Sequence, residues 1–164
     1  MDDSRKIIAD NITRLQVIKV LSLKELSQLT GICLSTLKSW HQRKTYPRLK
    51  LLDSFCDKLG VHTSDLFEAN TSFITPYFEY NSSHKIFMKN FLTLCNQRQL
   101  LNEAEILDFL NNGNVLPARF VDGDIISIDA LKSYKRRKNG RQIPVQKLDY
   151  IAKCFGVETF KLLR

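Results

Sequence analysis

Residues 22–40 read S-L-K-E-L-S-Q-L-T-G-I-C-L-S-T-L-K-S-W, and this stretch decides the fold. Ser22 and Glu25 are spaced as a capping box, in which the hydroxyl takes a first-turn N–H and the carboxylate reaches back. Leu26 and Leu29 then recur at helical spacing. Gly31 suits the left-handed position at which a helix ends and the chain turns sharply. Ile32 can tuck into a core, and Cys33 or Ser35 opens a second helix. Leu37 and Trp40 form its inward stripe, which leaves Leu34, Ser35, Lys38 and Ser39 outward. A short second helix set steeply to the first, with a small and polar outer face, has the dimensions to enter a major groove.

Working outward, residues 5–20 place Ile8, Ile12, Leu15 and Ile18 or Lys19 along a helical period with a polar outer face. Residues 41–47 form a basic loop. Arg43, Lys44 and Arg48 can meet phosphates there, and each is equally at home as a solvated side chain. A fourth helix over about 48–59 buries Leu49, Leu52, Phe55, Cys56 and Leu59. Gly60 ends it, and Ser64 opens a short fifth helix, D-L-F-E.

Over residues 5–68 the chain resembles the Cro-like or phage-repressor helix-turn-helix domains, also called the xenobiotic-response-element type. The resemblance rests on the 22–40 stretch, on Pro47 before the fourth helix, and on L-G-V followed by D-L-F at the close. It implies that Leu34, Ser35 and Ser39, with Lys38 alongside, reach base edges. Ser35 and Ser39 can donate or accept there, and Leu34 can pack a thymine methyl. Arg43 and Lys44, with backbone N–H groups at helix starts, would grip phosphate. Family members often carry glutamine where Leu23 and Leu34 stand. An apolar Leu34 at the head of a reading helix weakens sequence-specific recognition and points toward a protein contact, but DNA remains the preferred partner of the first domain.

Residues 69–84 break the helical period at Pro76 and the Asn/Ser pairs, so they mark a boundary. Phe73, Ile74, Tyr77, Phe78 and Tyr80 make this linker too aromatic for a free tether. It is expected to pack, partly extended, on a domain or a second subunit. The pattern then starts again. Ile86 or Phe87, Phe91, Leu94 and Cys95 line one helix. Asn102 and Glu105 repeat the capping box, and Ile106, Phe109 and Leu110 the inward stripe. I-S-I-D-A-L-K-S-Y aligns with I-C-L-S-T-L-K-S-W, Pro144 with Pro47, and L-D-Y-I-A-K-C-F-G-V-E-T with L-D-S-F-C-D-K-L-G-V-H-T. Two copies in matching order make an internal repeat. The second copy carries an inserted loop with Gly113, Pro117 and an Asp122-Gly123 turn, able to form a small hairpin. It also carries K-R-R-K-N-G-R at 135–141. Ser133, Lys135, Arg136, Arg137, Lys138 and Arg141 are its candidate contacts to DNA or a partner, with Ile128 and Asp129 beside Ser133 on the outward face.

The 164 residues suit two small domains, and the net charge of +8 favours a polyanionic partner. The balance is +3 over residues 1–68 and +6 over 85–164. No apolar run approaches the ~20 residues that span a bilayer. The opening M-D-D-S-R-K lacks the apolar core of a signal peptide, so a cytoplasmic, nucleoid-associated location is expected. Cys33, Cys56, Cys95 and Cys154 are scattered, which points to buried free thiols in a reducing compartment. No residues assemble a nucleophile, a general base, a metal site or a phosphate-cradling glycine loop. No catalytic residue, metal or cofactor is expected.

The expected architecture is all-α. It has two tandem five-helix domains, at 1–68 and 85–164, with the linker 69–84 between them. The expected function is sequence-specific binding of duplex DNA by a transcriptional regulator, a repressor of phage or mobile-element type, acting as a homodimer or as a single-chain pseudo-dimer. The rival is a protein-binding module on the same fold, for instance a phage inhibitor of a host nucleic-acid enzyme.

Overall fold

Helix capping and a few side-chain amides tie the elements together. The computed structural model describes residues 3–73, 82–112, 126–136 and 143–164. Most of the aromatic linker, the inserted loop with its expected hairpin, and Arg137, Lys138 and Arg141 lie outside the described residues. The chain divides into two units, Met1–Ser83 and His84–Arg164. The described residues hold eight α-helices and no strand.

In the first unit, α1 spans Ser4–Lys19, α2 Leu23–Thr30, α3 Leu34–His41 and α4 Leu49–Leu59. Asp3 caps α1 by accepting from the Arg5 N–H at 2.8 Å. The Ser22/Glu25 box closes as the spacing predicts: Ser22 Oγ accepts from the Glu25 N–H, and the Glu25 carboxylate accepts from the Ser22 N–H. Gly31 (φ 72°) and Gly60 (φ 67°) stop α2 and α4 in the left-handed region, where a side chain would be strained. The core collects Ile8, Ile12, Leu15, Leu26, Leu37, Trp40, Leu52 and Phe55, all buried.

Three expectations are corrected here. Ile18 and Lys19 do not continue the inward stripe, because α1 runs past the core at its end and leaves Ile18 54% exposed. Leu29 is 49% exposed, and Thr30 takes the inward place with its hydroxyl donating to the Leu26 carbonyl at 2.6 Å. The fifth helix is a 3₁₀ turn over Thr63–Phe67, begun by His62 and not by Ser64. Its five residues are all buried, and the tighter i→i+3 winding fits them into a short span. Among the described residues, each unit has four α-helices and a 3₁₀ turn.

In the second unit, α5 spans Ser83–Gln97, α6 Glu103–Asn112, α7 Ile128–Lys135 and α8 Val145–Phe155, followed by a 3₁₀ turn over Thr159–Leu162. Phe87, Phe91 and Phe155 build its core, with Phe87 stacked on Phe91 and Phe155 edge-on to Phe91. The Tyr150 hydroxyl donates to the Leu110 carbonyl.

The same polar ties recur in both units. Asn11 Nδ2 lies 2.9–3.1 Å from the carbonyls of Asp65, Leu66 and Glu68. Asn90 Nδ2 lies 3.2–3.3 Å from those of Lys161, Leu162 and Arg164. Thr63 donates to Asp53 at 2.9 Å, and Thr159 to Asp149 at 2.9 Å. Glu105 accepts from the Asn102 N–H, and Asn102 Oδ1 from the Glu105 N–H, as Glu25 and Ser22 do. Val20 (φ 54°) and Gln99 (φ 58°) both turn left-handed just after the first helix of their unit.

Asn11→Ala deletes the donor that serves three carbonyls at the closing turn. Unmet buried acceptors cost about 1–3 kcal/mol, and the urea midpoint of the first unit should fall with its slope unchanged. Trp40, the only tryptophan and buried in this unit, supplies the fluorescence readout. A loss below about 0.5 kcal/mol, the range of a neutral surface change, would mean that Asn11 does not hold the turn.

Candidate nucleic-acid interface

The outward face of α3 is set by what its inward face buries. Leu37 is fully buried, and Trp40 meets Phe55 edge-on with ring centroids 6.3 Å apart. With those two fixed, Ser35 and Lys38 are exposed, and Leu34 and Ser39 are half-buried at the rim. Ser35 and Ser39 lie one turn apart, roughly 6 Å along the helix, which is about two base steps along a strand. Ser39 Oγ lies 2.8 Å from Thr45 Oγ1, so this hydroxyl is oriented before any ligand arrives. Thr45 went unread in the sequence, since nothing in the basic loop's composition marks a residue that folds back onto α3.

Past α3 the chain turns within two residues. The Arg43 N–H donates to the Trp40 carbonyl and the Lys44 N–H to the Ser39 carbonyl, both at 2.9 Å. This is a helix-ending turn in which glycine commonly holds the left-handed position. Here that position belongs to Arg43, at φ 59°. Its guanidinium pairs with Asp10 on α1 at 2.9 Å, both side chains about half exposed. An exposed pair of this kind is worth only about 0–1 kcal/mol, so Arg43 can exchange Asp10 for a phosphate at little cost. Lys44 and Arg48 are exposed, with Arg48 at the cap position of α4. Leu34, Ser35, Lys38 and Ser39 thus share α3, with three cations following it in the chain.

Cys33 departs from the expectation of buried thiols. It is the N-cap of α3 and is exposed. Its Sγ lies 3.2 Å from Ser35 Oγ and 2.9 Å from Thr36 Oγ1. Those hydroxyls, and after them the Thr36 N–H, bring its pKa down to about 7. Cys56 and Cys95 are buried, and burial pushes both thiols up, Cys95 to about 11. Burial also raises the half-buried Cys154. The sequence showed Cys33 beside the helix start, but not that Ser35 and Thr36 would turn their hydroxyls toward it.

On α7 of the second unit, Ile128 is 43% exposed, Asp129 is exposed and Ser133 is half-buried. Lys135 is tied to Glu103 at 3.1 Å, and Arg136 is exposed at the helix end. Among the described residues, no three His, Cys, Asp or Glu side chains gather as a metal site would need. No helix among them is long and apolar enough to cross a membrane.

Residues 11–72 match the family model of the Cro/C1-type HTH DNA-binding domain. The match lies wholly within the first unit and contains α2, α3 and the basic loop. This family is generally without catalytic activity. No curated protein and no solved structure matches the chain.

The thiol of Cys33 should be the first of the four to react with iodoacetamide. Its labelling rate, followed by peptide mass, should rise through a midpoint near pH 7 as the thiolate forms, and level off above pH 8. In Ser35→Ala/Thr36→Val the stabilising hydroxyls are gone and the midpoint should move up toward the ordinary thiol value near 8.5. An unmoved midpoint would show that the hydroxyls do not set this pKa.

Proposed function

We propose that the Cro/C1-type domain at 11–72 reads duplex DNA through α3, and that the protein is a transcriptional regulator. Among base-edge contacts, Ser35 and Ser39 supply the hydrogen-bonding groups, Lys38 a cation, and Leu34 an apolar contact to a thymine methyl. Arg43, Lys44 and Arg48 hold the phosphates on the flank and fix the register without reading sequence. The observation that carries this reading is the polar outer face of α3, followed directly by exposed cations, inside a domain of DNA-binding type. Repression follows as the simplest mode, because occupying a promoter blocks it sterically. Such a regulator works on the DNA of the cytoplasmic nucleoid, and a phage or mobile-element origin fits the family.

The second unit is read as a diverged second copy of the same domain. The support is the coincidence of its polar ties with those of the first: Asn90 with Asn11, Thr159–Asp149 with Thr63–Asp53, and Asn102/Glu105 with Ser22/Glu25. Its α7 is poorly suited to base reading, since exposed Ile128 and Asp129 replace the Leu34 and Ser35 positions. A carboxylate there repels phosphate, which favours a role in dimerisation or in binding a protein partner. Two first units in a homodimer would meet half-sites one turn, about 34 Å, apart.

Ser35→Ala/Ser39→Ala should keep binding to duplex DNA while flattening sequence preference in a selection from random duplexes at near-physiological salt. Arg43→Gly separates phosphate contact from folding. It relieves a left-handed side chain, worth roughly 1–2 kcal/mol, so stability should hold or rise. DNA affinity should fall, and the salt slope should shrink by about one. A duplex selection with no enriched motif, and unchanged affinity in both variants, would sink the DNA reading in favour of a protein partner.

A further inference from the structure

The second unit carries a cleft of about 650 Å3 between one face of α5 and the end of α7. That volume falls among clefts that take a small organic ligand, roughly 300–1,000 Å3. Met88 and Leu92 from α5 and Tyr134 from α7 give it apolar walls, and Leu92 stands 40% exposed. Around them stand Lys85 and Lys89 on α5, and Lys135 and Arg136 at the end of α7. Lys135 is engaged by Glu103. Cations on both elements flank one apolar strip, and among the described residues no acidic side chain lines the cleft.

His84 fixes the wall where α5 meets α7: its Nε2 donates to the Tyr134 carbonyl at 3.0 Å and so holds the end of α7 against the start of α5.

We propose that this cleft binds a small organic acid: a carboxylate on an apolar body. The lysines and Arg136 take the carboxylate, and the Met88–Leu92–Tyr134 strip takes the body. A phosphodiester backbone has no apolar body to cover Leu92 and Met88. A peptide helix would need a longer trench than one bounded by a single face of α5 and the end of α7. The site is independent of whether the first unit reads DNA.

The test is calorimetric titration of the full chain with 6-hydroxy-2-naphthoate and with its neutral counterpart, 2-naphthol. The acid should bind at one site per chain with Kd below about 1 mM, the affinity expected of a ligand of this size. The naphthol should bind at least about fivefold more weakly. In Lys85→Ala/Lys89→Ala, both exposed positions, the acid should lose about fivefold or more while the thermal midpoint stays put. Equal binding of acid and naphthol, an unchanged double variant, or no saturation would each overturn the proposal. So would a double variant that loses affinity for a short duplex but not for the acid, since the cleft would then be a phosphate track.

Discussion

One buried amide closes the first unit. Asn11 sits on α1, and the three carbonyls it serves lie 54 to 57 residues further on. A side-chain amide has only two hydrogens, so three acceptors must share them. That sharing confines the closing turn to one position against α1. Everything between is set within that closure: α1 packs on α3 and on the turn, and α2 packs on α3 and α4. A polar network of this kind is tolerable inside a core only when its groups are partnered. The second unit closes the same way through Asn90, and its core adds the Phe87–Phe91 stack to buried leucines and isoleucines.

The consequence for α3 is a helix held rigidly by its back. Leu37 and the Trp40–Phe55 contact fix its rotation, and the turn at Arg43 and Lys44 fixes where the chain leaves it. The groups left outside are short hydroxyls and flexible cations, the mixture that reads base edges and holds phosphates without needing the backbone to move. Its head carries the one exposed thiol of the chain. Chemistry at Cys33 and contact at Ser35 would therefore compete for the same few ångströms.

Much of this was legible beforehand because helix ends are written locally. Ser22/Glu25, Asn102/Glu105, Gly31 and Gly60 announced their roles by type and spacing. Inward stripes were read correctly wherever a second turn confirmed them, as at Leu49, Leu52, Phe55, Cys56 and Leu59. The misses share a cause. Leu29 and Thr30 both fit a helical period, and only the hydroxyl's bond back to Leu26 shows why the polar residue faces in. Ile18 fits the period too, but α1 outruns the core there. Val20, Arg43 and Gln99 take left-handed turns with no glycine to flag them; in each, the next residue's N–H reaches back to a carbonyl of the preceding helix. The cleft beside His84 was invisible, since Lys85, Lys89 and Arg136 become neighbours only when α5 and α7 pack.

Asn111 bridges the end of α6 and Ile126. Its Nδ2 donates to the Ile126 carbonyl at 3.1 Å, and its Oδ1 accepts from the Ile126 N–H at 3.4 Å. A side chain thus fastens the end of α6 to the residue that leads into α7, whatever chain runs between. Closing a longer loop across a fixed clasp adds only about 0.6 kcal/mol per doubling of its length. The start of α7 is therefore held against the end of α6 by a clasp of its own, at Asn111 and Ile126.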